Sequence, residues 1–253
     1  MNFINNIEDT KEQLALNGYV VIKEVFNAKI IESSLLEIEN ITSSNSNLYR
    51  DKLGNPRRVE KIYNKGPHLK KINETILALL NSLFGFKWNI FKDKYNSKPP
   101  GGEGFYAHFD GIFIFKDKEG NERNGWHIYS DKFINALVPF DDFNSMNGPL
   151  EVAKEVKGTF SQLLQYTKKD GSPNLLSEFE KKNNFKSLKL NKGDLVFFSS
   201  NCPHRSRANR SSNDRRTLYY TYNPSSEGNN YEKYFIDKDL SRNSNSKSLS
   251  GEI

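Results

Sequence analysis

The sequence predicts a mainly β fold, a sandwich or barrel of short strands carrying a helical layer on its N-terminal side. Three observations lead there. From Trp88 onward, short runs rich in β-branched and aromatic residues alternate with turn chemistry. Ahead of Trp88, apolar residues recur instead at helical spacing around one strand. A helical insertion, roughly Asn174 to Lys182, interrupts the strands once. Neither a linker nor an internal repeat divides the 253 residues. One domain is therefore expected over 1–253, with a helical layer over about 1–86, a β core over about 87–225 and a tail over 226–253.

In chain order, Asp9 or Thr10 caps a first helix that stops at Gly18. Tyr19-Val20-Val21-Ile22 reads as a strand. Asn27 caps a second helix whose Ile30, Ile31, Leu35, Ile38 and Ile41 share a face, and the polar stretch Thr42 to Asn47 is a loop. A third helix runs from about Pro67 to Phe84 and ends at Gly85. Strands are then expected at Trp88–Asn96, Phe105–Phe115, Phe133–Phe140, Pro149–Val152, Leu188–Leu190, Asp194–Ser199 and Thr217–Tyr222. Turns such as Pro99-Pro100-Gly101-Gly102 and Met146-Asn147-Gly148 separate them. The Ser/Asn-rich stretch from Leu240 to Ser250 is expected to fray.

Composition narrows the function. Hydrophobic residues make up 36% and charged residues 27%, which excludes a disordered chain. No apolar run approaches the ~18 residues of a membrane span, and the N-terminus carries no signal core. The single cysteine, Cys202, excludes an internal disulfide and fits a reducing cytoplasm, the expected location. A net charge of +6 with scattered basic residues argues for a small-molecule substrate rather than nucleic acid or a membrane.

Four histidines are present: His68, His108, His127 and His204. His108-Phe109-Asp110 is read on a strand, so the imidazole and the carboxylate point the same way. A distant third ligand would complete a two-histidine, one-carboxylate face that leaves coordination positions open, an arrangement suited to iron(II) and O2. His204 follows the buried strand after Gly193, and Arg215 begins another. Alternation puts Arg215, Thr217 and Tyr219 on one face of that strand and Arg216, Leu218 and Tyr220 on the other. The guanidinium with the Thr217 hydroxyl can clamp a carboxylate; a one-residue slip in register would hand the role to Arg216. Lys92, Lys94 and Asn96 share a face, and lysines facing an interior need an anionic partner such as a carboxylate or phosphonate. His68 is read as a surface or interhelix residue, His127 as packing rather than pocket lining, and Cys202 as structural burial. Arg57, Arg58, Tyr63 and Trp126 are left open as pocket residues.

His108-x-Asp110, Gly193-Asp194-x-Val196-Phe197-Phe198, His204-Arg205-Ser206, Asn209-Arg210-Ser211 and Arg215-Arg216-x-Leu218-Tyr219 together resemble the phytanoyl-CoA dioxygenase family, from about Asn17 to Tyr234. The resemblance implies a double-stranded β-helix (jelly-roll) core, Fe(II) and 2-oxoglutarate as cofactor and cosubstrate, and O2 as oxidant. By matching position it implies that His108, Asp110 and His204 bind iron and that Arg215 pairs with the far carboxylate of 2-oxoglutarate. Ser206, Lys94 and Asn135 match positions lining the cosubstrate pocket, with Thr217 and Asn96 beside them. Asp110 stands where halogenating relatives carry a small residue, so hydroxylation is implied. The segments Phe91 to Gly102, Thr221-Tyr222-Asn223 and Tyr231-x-x-Tyr234-Phe235-x-x-Lys238 are similar to bacterial members acting on 2-aminoethylphosphonate, which implies a small polar or anionic substrate of that kind. Ala153-Lys154-Glu155-Val156 departs from the Pro-Gly-Ser-His turn of many relatives and leaves amino-acid, lipid or secondary-metabolite substrates open. A zinc hydrolase and a catalytically silent jelly-roll binding protein are the other readings of the same residues.

Overall fold

Helix α1 (Ile7–Asn17) stops at Gly18, whose φ of +78° closes the helix through its N–H to the Leu14 carbonyl. A Cβ at Gly18 would lie 2.8 Å from Cys202 Sγ, so the position also needs glycine for space. The computed structural model describes residues 7–42, 47–50, 54–117 and 119–244. Strand β1 (Tyr19–Ile22) follows, then α2 (Ala28–Thr42), capped by Asn27 Oδ1 accepting from Ile30 N–H at 3.0 Å. Two short strands that the sequence did not signal come next, β2 (Leu48–Arg50) and β3 (Pro56–Glu60). They are polar and pair at the sheet edge, where one side lacks the apolar alternation that marks a strand. Helix α3 (Pro67–Phe84) has the expected bounds, with Gly85 in the left-handed conformation as its stop.

The β region contains β4 (Trp88–Lys98), β5 (Phe105–His108), β6 (Ile114–Lys116), β7 (Glu122–Asn124), β8 (Ile134–Pro139) and β9 (Leu150–Val152). Helices α4 (Phe160–Leu164) and α5 (Ser177–Lys182) interrupt the series before β10 (Lys186–Ser187), β11 (Leu195–Ser199), β12 (His204–Ser206) and β13 (Arg215–Pro224). Helix α6 (Tyr231–Ser244) closes the described chain. The expected strand Phe105–Phe115 is thus split. It ends at His108 because Gly111, at φ +79°, turns the chain, and Asp110 sits past the strand end rather than on it. The expected strand Leu188–Leu190 is not one; its ladder bonds fall on Lys186–Ser187, although Leu188 N–H still reaches the Leu150 carbonyl. The expected tail is largely α6, whose Tyr231, Tyr234, Phe235 and Lys238 recur at helical spacing. Residues beyond 244 in the stretch expected to fray, and 43–46 of the expected loop, lie outside the described residues.

Two antiparallel sheets make the core. One has the order β1-β11-β8-β13-β4-β3-β2 and the other β10-β9-β12-β5. Successive strands β4, β5, β8, β9 and then β10, β11, β12, β13 pass between the two sheets, which is the jelly-roll winding. The outer face of the larger sheet carries Ala136, Val138, Phe197, Leu218, Tyr220 and Tyr222 against Leu69, Ile72, Ile76 and Leu80 of α3. Tyr222 Oη bonds Asn73 Oδ1 at 2.9 Å there. Each fully buried aliphatic in that layer contributes about 1.5–3 kcal/mol. The interior between the sheets holds a second apolar group, including Leu137, Val152, Val196 and Phe198, at one end. Polar residues occupy the other end.

One buried acid ties the outer layer together. Asp93, on the outward face of β4, accepts from the N–H groups of Lys61 (3.1 Å), Ile62 (2.6 Å) and Tyr63 (2.7 Å) and from Tyr231 Oη (2.8 Å). These bonds fix the turn between β3 and α3 and dock α6. Asp93→Ala leaves four donors without a partner and is expected to cost about 2–4 kcal/mol of stability. Denaturant unfolding of the variant measures this, and an unchanged midpoint would contradict the role.

Candidate metal centre

His108 ends β5 and His204 begins β12, and the two strands pair with these residues directly opposite one another. Their rings lie 4.2 Å apart between centroids. His108 Nδ1 sits 2.7 Å from the Tyr106 carbonyl and His204 Nδ1 3.0 Å from the Cys202 carbonyl. A carbonyl only accepts, so each Nδ1 carries the proton and each Nε2 presents its lone pair inward. Asp110 faces both, with Oδ1 3.9 Å from His108 Nε2 and Oδ2 3.7 Å from His204 Nε2. One candidate ligand atom from each of the three lies within 4.8 Å of the others, a spacing that fits around one ion.

The carboxylate is held from behind. Asp110 Oδ2 accepts from Asn135 Nδ2 at 2.9 Å, and Asn135 Oδ1 accepts from Thr221 Oγ1 at 2.7 Å. Asp110 N–H bonds the Ser200 carbonyl, which pins the turn that the strand reading had missed. Burial and the neighbouring His204 push His108 down to about 3, and burial lowers His204 as well. Burial by itself would raise Asp110, but His204, His108, Lys94 and Lys92 outweigh it and hold the carboxyl at about 2. At neutral pH the three groups are two neutral imidazoles and a carboxylate, the protonation state a metal requires.

Strand parity decides between the two arginines. Arg215 points between the sheets, 2% exposed, and donates from Nη1 to Thr217 Oγ1 at 2.8 Å, leaving the Thr217 proton free to donate onward. Arg215 Nε is buried with no hydrogen-bond partner, and the guanidinium makes no ion pair among the described residues. Arg216 points outward and pairs with Asp141 through Nη2 (2.6 Å) and Nε (3.0 Å). Across the ladder from Arg215 stands Lys98, which the sequence reading did not single out. Its ammonium donates to Ser206 Oγ at 2.8 Å and to the Arg207 carbonyl, and burial together with Arg215 lowers its pKa to about 6. Ser206 is therefore spoken for by Lys98.

The inward face of β4 continues with Asn96, Lys94 and Lys92. Asn96 Oδ1 accepts from Arg58 Nε at 3.3 Å. Lys94 Nζ lies 5.0 Å over the Tyr219 ring, and Lys92 Nζ 4.3 Å over Trp126 and 5.5 Å over Tyr234. Both lysines are half-buried and form no hydrogen bond or ion pair among the described residues. Burial, then Lys92 and Arg58, bring Lys94 down to about 7. Of the residues left open, Trp126 and Arg58 thus reach this face. Arg57 instead donates to the Ser97 carbonyl, and Tyr63 packs edge-on against Tyr231. His127 packs on Phe160 with its Nδ1 unpartnered and its pKa lowered by burial. His68 bridges α3 to Glu37 of α2 at 2.6 Å, and Cys202 is buried against the Gly18 carbonyl.

Residues 14–217 match the model of the phytanoyl-CoA dioxygenase family. The chain belongs to that family. Within it, the chain is 33% identical over 184 residues to a 2-aminoethylphosphonate dioxygenase from the uncultured bacterium HF130_AEPn_1, covering 72% of this chain and 64% of that protein. It is 32% identical over 157 residues to a methylphosphonate hydroxylase of Gimesia maris, covering 62% and 54%. The matches thus span less than two thirds of these curated relatives. Among solved structures, EctD from S. alaskensis with 2-oxoglutarate and 5-hydroxyectoine superposes with a TM-score of 0.69 at 17% identity, covering 90% of this chain and 79% of that one. The epimerase SnoN in complex with Fe3+, alpha ketoglutarate and nogalamycin RO gives 0.67 at 18%, covering 87% and 84%. At these identities the likeness establishes the shared jelly-roll fold.

The family match stops at Thr217, short of several groups around the site that sequence reasoning passed over. Tyr219 faces Arg215 and Asp110, and its position two residues past Thr217 was the available signal. Tyr234 and Lys238 stand in a segment that carries part of the resemblance without a role being assigned to them, and Glu60 gave no signal; all three meet the β4 face only through packing of β3 and α6. The convergence of two Nε2 atoms with Asp110 predicts that His108→Ala loses stoichiometric Fe(II) binding and substrate oxidation together. Anaerobic metal titration with a turnover assay checks this, and full turnover by the variant would refute the ligand assignment.

Proposed function

We propose that this family member is an Fe(II)- and 2-oxoglutarate-dependent dioxygenase that hydroxylates a small organophosphonate. The observation that carries the reading is a buried arginine without an anion, on the same interior face as a His-Asp-His triad. An uncompensated buried guanidinium is costly, so the site is built for an anionic ligand. The donor set fits iron: two neutral nitrogens and one carboxylate leave coordination positions open. Zinc accepts the same donors, but hydrolysis has no use for a second carboxylate clamp deep in the fold.

His108, Asp110 and His204 would hold the metal, and Asn135 keeps the Asp110 carboxylate in its rotamer. When bound, iron with 2-oxoglutarate supplies the oxidising power, the keto acid ending as succinate and CO2 while one oxygen atom goes to the substrate. Arg215 and the Thr217 hydroxyl bind the far carboxylate of the cosubstrate, and Lys94 supplies positive charge at its metal-side end. Asn96 and Ser206 act one step back, by orienting Arg58 and Lys98. Tyr219 and Trp126 line the interior and limit water around the reacting centre. Relatives that act on phosphonates, together with the unpaired cation of Lys92, support a phosphonate as the second substrate.

The test is 2-oxoglutarate-dependent succinate release with a panel of small phosphonates, after anaerobic loading with Fe(II). Phosphonate-stimulated succinate is expected; a panel without stimulation would overturn the substrate class. In the same assay Arg215→Gln is expected to weaken 2-oxoglutarate by ~30-fold or more, because breaking a buried charge pair costs about 2–5 kcal/mol. Arg216→Gln should leave that affinity within about twofold, since its partner Asp141 lies outside the interior. Binding should also depend on pH. The depressed Lys94 is charged below about 7 and neutral above, so affinity is full on the acid side and falls by up to about tenfold per pH unit above 7. Calorimetry with oxygen-free, metal-loaded protein between about pH 6 and 8.5 reads this, and a flat profile would remove Lys94 from the cosubstrate site.

A further inference from the structure

The surroundings of Lys92 narrow the substrate further. Its ammonium lies over the faces of Trp126 and Tyr234, at 4.3 and 5.5 Å from the ring centroids. Two such faces side by side make a receptor for a cation. Here the protein's own lysine already occupies it. The aromatic walls therefore seat the Lys92 amine against the interior, where burial lowers its pKa and a ligand anion would hold its proton in place.

The acids around Lys92 are all committed elsewhere. Asp110, Glu60 and Asp93 are the carboxylates whose charge acts on Lys92. Asp110 belongs to the metal centre, bonded from behind by Asn135. Glu60 is 2% exposed, ion-paired with Lys238 of α6, 4.0 Å from Arg58 Nη1 and bonded by Tyr49 Oη at 3.3 Å. Asp93 is turned outward and accepts from three backbone N–H groups and Tyr231. A ligand ammonium beside Lys92 would meet Lys94 and Arg58 as well, with Asp110, Glu60 and Asp93 already engaged and the Trp126 and Tyr234 faces already covered. A phosphonate would meet the opposite: a half-buried ammonium with no hydrogen bond or ion pair among the described residues.

We propose that Lys92, seated on Trp126 and Tyr234, binds the phosphonate head and makes the site selective for phosphonates that carry no ammonium group, such as alkyl or hydroxyalkyl phosphonates. The inference rests on the organophosphonate reading above and divides that class by charge. Two of its elements, Tyr234 and Lys238, stand on α6 and fall outside residues 14–217, the stretch shared with the family model. Selectivity of this kind draws on α6 as well as on the strands. It works by repulsion as well as attraction, which is how a small site separates ligands of similar size.

The experiment compares ethylphosphonate, methylphosphonate and 2-aminoethylphosphonate on the intact protein loaded with Fe(II) and 2-oxoglutarate without oxygen. Equilibrium binding is read by calorimetry and turnover by succinate release on admitting air. The unaminated ligands are expected to bind about tenfold or more tighter, since like charges held together in a desolvated site are strongly disfavoured. Lys92→Met removes the built-in cation and opens the aromatic faces. It is expected to weaken ethylphosphonate by about tenfold and to narrow or reverse the preference against the aminated ligand. Wild-type protein that binds 2-aminoethylphosphonate as tightly as ethylphosphonate would overturn the inference while leaving the phosphonate reading intact. Failure of all three ligands both to bind and to stimulate succinate release would overturn the two together.

Discussion

The pairing of β5 with β12 is the constraint on which the site depends. It sets His108 directly across from His204, so two residues remote in sequence become neighbours through backbone hydrogen bonds alone. A cross-strand pair is rigid because its spacing is set by the ladder rather than by side-chain choice. The carbonyls of Tyr106 and Cys202 then fix the ring faces, and the turn at Gly111 brings Asp110 in from the side. No single one of these elements makes a metal centre. The jelly-roll winding makes it, by returning strands from the two halves of the chain to one small sheet.

The interior is divided by polarity. Leu137, Leu150, Val152, Val196 and Phe198 fill one end of the space between the sheets, and the other end holds ionisable groups. Most of those groups are satisfied by the protein: Lys98 by Ser206, Glu60 by Lys238, Asp110 by Asn135. Arg215, Lys94 and Lys92 stand apart, each a basic group with no ion-pair partner among the described residues. Interior charges left over in this way locate ligands, because folding has already borne the cost of placing them there.

Much of this was legible in the sequence wherever local pattern and tertiary role coincide. Helix α3 could be bounded to the residue because its apolar stripe ends at a glycine that adopts the left-handed conformation. Alternation put Arg215 and Arg216 on opposite faces of β13 before any coordinates, but the register left open in the sequence had to be seen before the inward face was known. Other features are encoded only in contacts between distant segments. Asp110 looked like a strand residue because Phe105–Phe115 is rich in aromatic and β-branched residues, and the turn is set by Trp126 packing under Gly111. β2 and β3 are too short to show alternation, and they are strands only because β3 pairs with the distant β4 and carries β2 at the sheet edge. The meeting of Lys92, Trp126 and Tyr234 joins three separate elements and leaves no trace in local spacing.

Helix α6 is attached by side chains rather than by strand pairing. Tyr231 to Asp93, Lys238 to Glu60, Asp239 to Lys61 and Asp237 to Tyr129 are its anchors. All four contacts grip the rim of the sandwich, away from the ladder that carries the histidines. On the reading proposed above, α6 thus lends Tyr234 to the surroundings of Lys92 while the histidines stand on strands it does not touch through these anchors. Changes confined to this peripheral helix would then reshape one side of the binding space and leave the backbone that pairs the two imidazoles as it was.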